Sequence, residues 1–381
     1  MTDMGEGITA SMELDEDVPV LHAKVTEVKF LSKVKVALVK ATVPVPHWAE
    51  GSAVEDGRYS KRPAAIVVRG SKSAGSLNVQ AVEVKVQILE CKNISGQGRI
   101  LGVLRGLTIE GECPLSVGTH TVQARIQELP EGIQWIWGNM VWVLEVPSAN
   151  HDWALNITRI EVFSILDTPI PVFQDDVGVW AEVLRFLCRF AGVVNVTDKR
   201  DAATRVTRYA HGSHRLFYDS AGGGRSLYGV GQRGGTFQLA SYLARVSAYA
   251  NCYDQAAAIQ TLSGALGVKL SWVFLEPFGF IHATNLLGYG RCNNPFFLGN
   301  GTPQMVDRDD ASRTPFGNHA FCAFEPKLLD ACAGPHTGTE GYQEYVDASI
   351  DDGTLLYRLY RNFRAGVVTD MQWCGGVAGV E

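Results

Sequence analysis

The 381-residue chain has no excess of positive charge: 34 Lys and Arg stand against 40 Asp and Glu, a formal charge of -6. Binding a nucleic-acid backbone rests on a basic surface that neutralises phosphates, so this balance argues against that class of partner. Long apolar runs are missing as well. The best candidate, Val177 to Val194, is broken by Glu182, Arg185 and Arg189, whereas a membrane-spanning helix needs roughly 18–20 consecutive apolar residues; no membrane partner is expected. Cysteine is sparse, eight in the whole chain, far below the density of a small secreted scaffold stapled by disulfides, and reduced thiols are expected. No Cys-x-x-Cys pair occurs, and no internal repeat of about 20–50 residues is visible.

The charge is unevenly spread. Residues 1–18 hold six acids (Asp3, Glu6, Glu13, Asp15, Glu16, Asp17) and no Lys or Arg, which leaves 34 acids against 34 bases in the rest. A charged segment without aromatics cannot bury enough apolar surface to order itself, so 1–18 reads as a disordered acidic tail. It also lacks the basic and apolar regions of a secretory signal, which implies a cytoplasmic protein or one exported without a signal peptide.

Residues 19–167 read as strands. Period-2 runs occupy Val25 to Val43, Leu77 to Leu89, His120 to Ile126 and Ile133 to Val146, with breaks at Pro44-Val45-Pro46, Gly70 to Gly75, Gly96 to Gly98 and Leu129 to Gly132. Several short strands with turns between them predict an immunoglobulin-like β-sandwich. Trp135, Trp137 and Trp142 could form a ligand platform, but tryptophans at alternating strand positions usually fill a core or a domain interface, and no function is assigned to them.

After Asp167-Thr168-Pro169 the spacing becomes helical. Val177, Trp180, Leu184 and Leu187 share a face, as do Ala202, Val206 and Tyr209, then Phe237, Ala240 and Leu243. A helix over Cys252–Leu266 should stop at Gly267. Strands follow at Val268–Leu275, Phe280–Leu287, His319–Phe324 and Lys327–Cys332. Helices first and antiparallel strands after describe an α+β domain over 168–381.

Chemistry concentrates in that domain. Cys252 lies at the first turn of its helix, where unpaired backbone N–H groups and the helix dipole favour a thiolate. His319 opens a strand 67 residues later and Asp330 lies eleven further on, in the next strand. Adjacent antiparallel strands can set Asp330 against the imidazole, fixing its tautomer and leaving the other nitrogen to take the thiol proton. That is the logic of a Cys-His-Asp triad.

This order, with His319-Ala-Phe321 followed by Leu329-Asp330-Ala-Cys332, resembles the transglutaminase-like superfamily over residues 168–345. The resemblance implies a papain-like core, often preceded by a β-sandwich, in which the cysteine forms a thioester with an amide carbonyl and water or an amine resolves it. Carried over, Cys252 is the nucleophile, His319 the general base and acid, and Asp330 its orienter. Phe321 stands where the family commonly has Trp, and Asn251 and Tyr253 replace its usual neighbours of the cysteine. One oxyanion donor would be the Cys252 N–H; Gln232, Gln238 and Tyr218 are candidates for a second.

Several weaker signals compete. His282 could replace His319, but no carboxylate follows it at strand spacing, so it reads as structural or pocket-lining. Gly229-Val-Gly-Gln-Arg-Gly234 matches the dinucleotide fingerprint without the strand before it or the acid about 20 residues after it, and reads as a glycine-rich loop. Cys322 and Cys332, ten apart, lack zinc-ligand spacing. The acidic runs Asp307 to Asp310 and Asp351-Asp352 lack the spacing of a calcium loop. No metal or cofactor is expected. The expected activity is acyl transfer on a protein or peptide amide, hydrolysis (protease or deamidase) ahead of transamidation, with a non-catalytic binding module as the alternative from another class.

Overall fold

In Ala81-Val-Glu-Val-Lys-Val-Gln-Ile the apolar residues fall on one face of a strand, and Val82, Val84, Val86 and Ile88 are all buried between half-buried polar neighbours. The same alternation builds most of the first half. The computed structural model describes residues 18–31, 34–38, 41–43, 47–50, 64–69, 81–174, 177–299, 301–367 and 370–381. The acidic tail up to Asp17 and the breaks at Pro44–Pro46 and Gly70–Gly75 lie outside them.

The strands of this half are β1 (Val20–Phe30), β2 (Val36–Leu38), β3 (Ala41–Val43), β4 (His47–Ala49), β5 (Ala64–Val68), β6 (Ala81–Lys92), β7 (Gln97–Leu104), β8 (Leu107–Pro114), β9 (Gly118–Glu128), β10 (Gln134–Val146) and β11 (His151–Ile165). Nine of them form one sheet, ordered β4-β1-β6-β9-β8-β7-β10-β11-β5. Its pairs are antiparallel except β5 with β11. One core gathers Val25, Val84, Val122, Ile109, Trp142 and Val162 from across the sheet. The sheet curls until β11 meets β1: Asn156 Oδ1 accepts from Val25 N–H at 2.7 Å and Asn156 Nδ2 donates to Val25 O at 2.8 Å. The expected immunoglobulin-like sandwich, two sheets face to face, does not describe this pairing. Alternation says which face of a strand is buried, not which strand it bonds to.

The second half contains β12 (Val179–Trp180), α1 (Ala181–Phe190), α2 (Lys199–Arg208), β13 (Phe217–Tyr218), β14 (Gly234–Phe237), α3 (Leu239–Leu243), β15 (Tyr249–Ala250), α4 (Cys252–Ala265), β16 (Ser271–Glu276), β17 (Thr284–Leu286), β18 (Gly290–Cys292), β19 (His319–Phe324), β20 (Lys327–Asp330), β21 (Ala333–Gly334), β22 (His336–Thr337), α5 (Tyr342–Ser349), β23 (Asp370–Trp373) and β24 (Gly376–Val380). A five-stranded antiparallel sheet runs β22-β20-β19-β16-β23. Helix α4 packs on it, with Cys322 Sγ of β19 donating to Ala256 O at 3.3 Å. From Asp254 to Ala265 every residue of α4 is buried, as its small and apolar sides on all faces demand. The helix ends where the sequence indicates: Gly267 has φ +80°, and a Cβ there would stand 2.1 Å from Asp167 O. The expected strand Phe280–Leu287 shortens to β17, because Gly279 and Ile281 instead make isolated bridges to Phe316 and Ile350.

The halves share a core. Val36, Ile66, Phe163 and Ile165 cluster with Val183, Leu184 and Leu187 of α1. Inside this junction Glu161 of β11 is fully buried and takes hydrogen bonds from Arg185 Nε at 2.9 Å, Arg185 Nη2 at 2.5 Å and Trp135 Nε1 at 2.6 Å. Trp135 also stacks on Phe163, and Trp142 is a core residue bonded to Thr158, so the two are interface and core. Glu161→Ala removes the carboxylate that faces the buried Arg185 guanidinium and should lower stability by about 3–5 kcal/mol, measured by urea unfolding. Replacing Glu161 and Arg185 together with methionine should cost less than that single change, since the buried guanidinium goes with its carboxylate.

Candidate active site

A buried helix start has to find partners for its N–H groups within the protein. Asn251, the N-cap of α4, accepts from Asp254 N–H through Oδ1 at 3.0 Å, and the Asp254 carboxylate accepts from Asn251 N–H at 3.1 Å. This reciprocal capping box places Cys252 as the first helical residue. Asp254 also accepts from Ser226 Oγ at 2.6 Å, Leu227 N–H at 2.9 Å and Tyr228 N–H at 3.1 Å, while Asn251 Nδ2 donates to Gly224 O at 2.8 Å. The glycine-rich loop is thereby fastened to the helix start. Burial pushes the Asp254 carboxyl above its usual range, although these donors pull the other way.

His319 and Asp330 come together across the β19–β20 hairpin, with Nε2 and Oδ2 2.7 Å apart and exposures of 0% and 1%. Asp330 Oδ1 accepts from Cys332 N–H at 2.7 Å and Ala333 N–H at 3.3 Å, and Oδ2 also accepts from Tyr345 Oη at 2.9 Å. Burial alone would make the imidazole less basic. The Asp330 charge and hydrogen bond outweigh it, Cys252 adds to them, and His319 is pushed up to about 10. Asp330 is held below the ordinary carboxylate range: burial opposes this, but the charge and hydrogen bond of His319 prevail.

The remaining ring nitrogen, His319 Nδ1, is buried and makes no hydrogen bond among the described residues. Cys252, 4% exposed, is near enough to strengthen the basicity of the ring, yet no thiol–Nδ1 pair meets hydrogen-bond geometry. The thiol–imidazole contact is therefore looser than the imidazole–carboxylate one, as is common before substrate binds. Tyr253 Oη donates to Asn318 Oδ1 at 2.5 Å, which ties the residue after the cysteine to the residue before the histidine. Phe278, Phe316 and Phe321 surround the imidazole at ring distances of 4.7, 5.6 and 5.9 Å.

No protein-family model matches the chain, and no curated protein does. Among solved structures, that of red sea bream transglutaminase is similar. The identity is 11%, the match covers 77% of this chain and 55% of that one, and the TM-score is 0.42. The chain thus spans little more than half the length of that protein.

Of the other residues singled out from sequence, Tyr218 lies beside this cluster. Its phenol is pushed well above the ordinary range by burial and then by the charge of Cys252, so it stays a neutral donor. Gln232 and Gln238 are exposed; the carbonyl of Gln232 accepts from Trp272 Nε1, and Gln238 precedes α3. None of their described hydrogen bonds reaches Cys252, His319 or Asp330. His282 is half-buried and donates its backbone N–H to Ser349 O. The acidic runs are engaged locally, Asp351 with Arg308 and Arg313, Asp309 with Thr354 and Leu355 N–H. Asn251, Asp254 and Tyr345 escaped the sequence reading. The first two carried a signal, Asn-x-x-Asp at a helix start; Tyr345 carried none.

The seven other thiols are held neutral by burial, Cys113 and Cys292 at about 11 and Cys188 at about 12, with Cys91, Cys322, Cys332 and Cys374 also raised. The His319 pair predicts a pH dependence. The pKa rises on folding from 6.5 to about 10, so the stabilisation is complete below 6.5, declines above it, and is gone once the pH passes 10. Unfolding midpoints measured from pH 6 to 10.5 should fall less steeply in His319→Gln than in the wild type.

Proposed function

We propose that this protein is a cysteine-dependent acyl-transfer enzyme acting on an amide of a protein or peptide, with hydrolysis as its outcome. The observation that carries this reading is the buried His319–Asp330 pair, whose free Nδ1 adjoins a cysteine at the first turn of a buried helix. In the reacting pair the proton of the Cys252 thiol already resides on His319 Nδ1, and the sulfur attacks the amide carbonyl carbon as a thiolate. Negative charge passes to the carbonyl oxygen, which the Cys252 N–H and the neutral Tyr218 hydroxyl are suited to receive. Collapse expels the amine, which takes the proton from His319 and leaves a thioester. Water, deprotonated by the now neutral His319, attacks the thioester; the acid leaves, and the thiolate and imidazolium are restored. Asp330 stays ionised throughout and balances the imidazolium. The 4% exposure of Cys252 favours water over an amine as the second reactant, since water is the smaller acceptor.

Cys252→Ala should abolish turnover, and Asp330→Asn should lower kcat by roughly 10³–10⁴-fold, if the carboxylate acts through the imidazole. Incubation with glutamine-containing peptides and a fluorescent amine, followed by mass spectrometry and ammonia release, separates the outcomes. Ammonia or a cleaved peptide without amine incorporation supports hydrolysis. Stable incorporation replaces hydrolysis with transamidation. Absence of any product, with Cys252 no faster than other thiols towards iodoacetamide, leaves a binding module.

A further inference from the structure

One acceptor oxygen at the site serves two donors. Asp330 Oδ2 receives His319 Nε2 at 2.7 Å and Tyr345 Oη at 2.9 Å, while Oδ1 is already taken by the N–H groups of Cys332 and Ala333. Both carboxylate oxygens are thus shared with donors other than His319, and whatever Tyr345 draws from Oδ2 is withdrawn from the imidazole. We infer that Tyr345 is a positioning residue that limits how tightly Asp330 holds the protonated form of His319. The inference rests on the proposed role of His319 as base and acid.

The surroundings are built for this contact. Tyr345 is fully buried on α5, with its ring 4.5 Å from that of Phe321 and 4.7 Å from that of His336. Ser349, one turn further along α5, hydrogen-bonds the Tyr345 hydroxyl. That leaves the phenolic proton directed at Asp330. The phenol is raised well above its ordinary range by burial and by the Asp330 charge, so it remains a donor at any working pH. Among the described residues, few other titratable groups face the Asp330 carboxylate. They are His336 on β22, in register with Asp330 and 3.3 Å from Glu340; His211 after α2, whose Nδ1 lies 3.2 Å from Ala331 O; and the thiols of Cys322, Cys332 and, through the imidazole, Cys252. None of these has a described hydrogen bond to Oδ2.

An imidazolium held too firmly is a poor acid towards the departing amine, so moderating the pair serves the step in which His319 gives its proton back. Tyr345→Phe keeps the ring and its contacts and removes one donor. His319 should then titrate about half a pH unit higher, the effect of one neutral hydrogen bond, with kcat reduced and KM unchanged. The measurement is an NMR titration of the full chain labelled with ¹⁵N-histidine, with the His319 signals assigned by their loss in His319→Gln. An unchanged or lowered midpoint in folded Tyr345→Phe overturns the inference, because a purely packing role for the tyrosine would leave the titration unmoved. If Tyr345→Phe does not fold, Ser349→Ala carries the test: by weakening the phenolic donor it should move the midpoint upward by a smaller step, and no movement overturns the inference. Iodoacetamide labelling of Cys252 in the wild type judges the triad separately. Preferential labelling together with an unmoved midpoint rejects Tyr345 alone; absence of preferential labelling rejects the proposed function.

Discussion

Helix α4 has no wet side, and this constraint organises the domain around it. A helix buried on every face has both its ends inside the protein, where water is not at hand for the groups that lack intrahelical partners. At the N-terminus Asn251 and Asp254 supply those partners and draw the segment 224–228 onto the helix. At the C-terminus the carbonyl of Leu266 accepts from the N–H groups of Leu166 and Asp167, so the connection between the two halves is itself part of the cap. Val377 of the last strand is tied to the side of the helix through Gln260. Loop, linker and C-terminal strand are thus all fixed by one helix. With little water near its first turn, its dipole acts on Cys252 with little screening.

Two buried carboxylates show how the same burial can lead to opposite results. Asp254 and Asp330 each accept four hydrogen bonds, and both are removed from solvent. Asp254, bonded only to neutral donors, is raised above the usual carboxylate range. Asp330 is lowered, because one of its donors carries charge. Hydrogen bonds from neutral groups lessen the cost of burying an anion; a cation at 2.7 Å reverses its sign. The first carboxylate is suited to holding a chain segment in place, the second to holding an ion pair.

The parts of this arrangement legible in the sequence were those coded locally. The end of helix α4 could be located from Gly267, and it differs from the observed one by one residue. His319 and Asp330 could be set together because a hairpin of two short strands leaves little freedom in where side chains meet. The order of the nine-stranded sheet was not legible, because alternation is the same whichever neighbour a strand chooses. Nor was Tyr345: it arrives from a helix separated from Asp330 by two short strands and a turn, and a tyrosine on a polar helix gives no hint of where its hydroxyl ends. Asn251 and Asp254 lay between. Their spacing announced a capping box, but not that Asp254 would also hold Ser226, Leu227 and Tyr228.

The closure made by Asn156 bears on how the first half of the chain can meet other proteins. A carboxamide has the same donor and acceptor as a peptide group, and here it takes the N–H and C=O of Val25 that an incoming strand would need. Recruitment by adding a strand to a sheet edge depends on such a free pair. At Val25 that route is closed from within, so a partner engaging the sheet there has to read side chains rather than backbone.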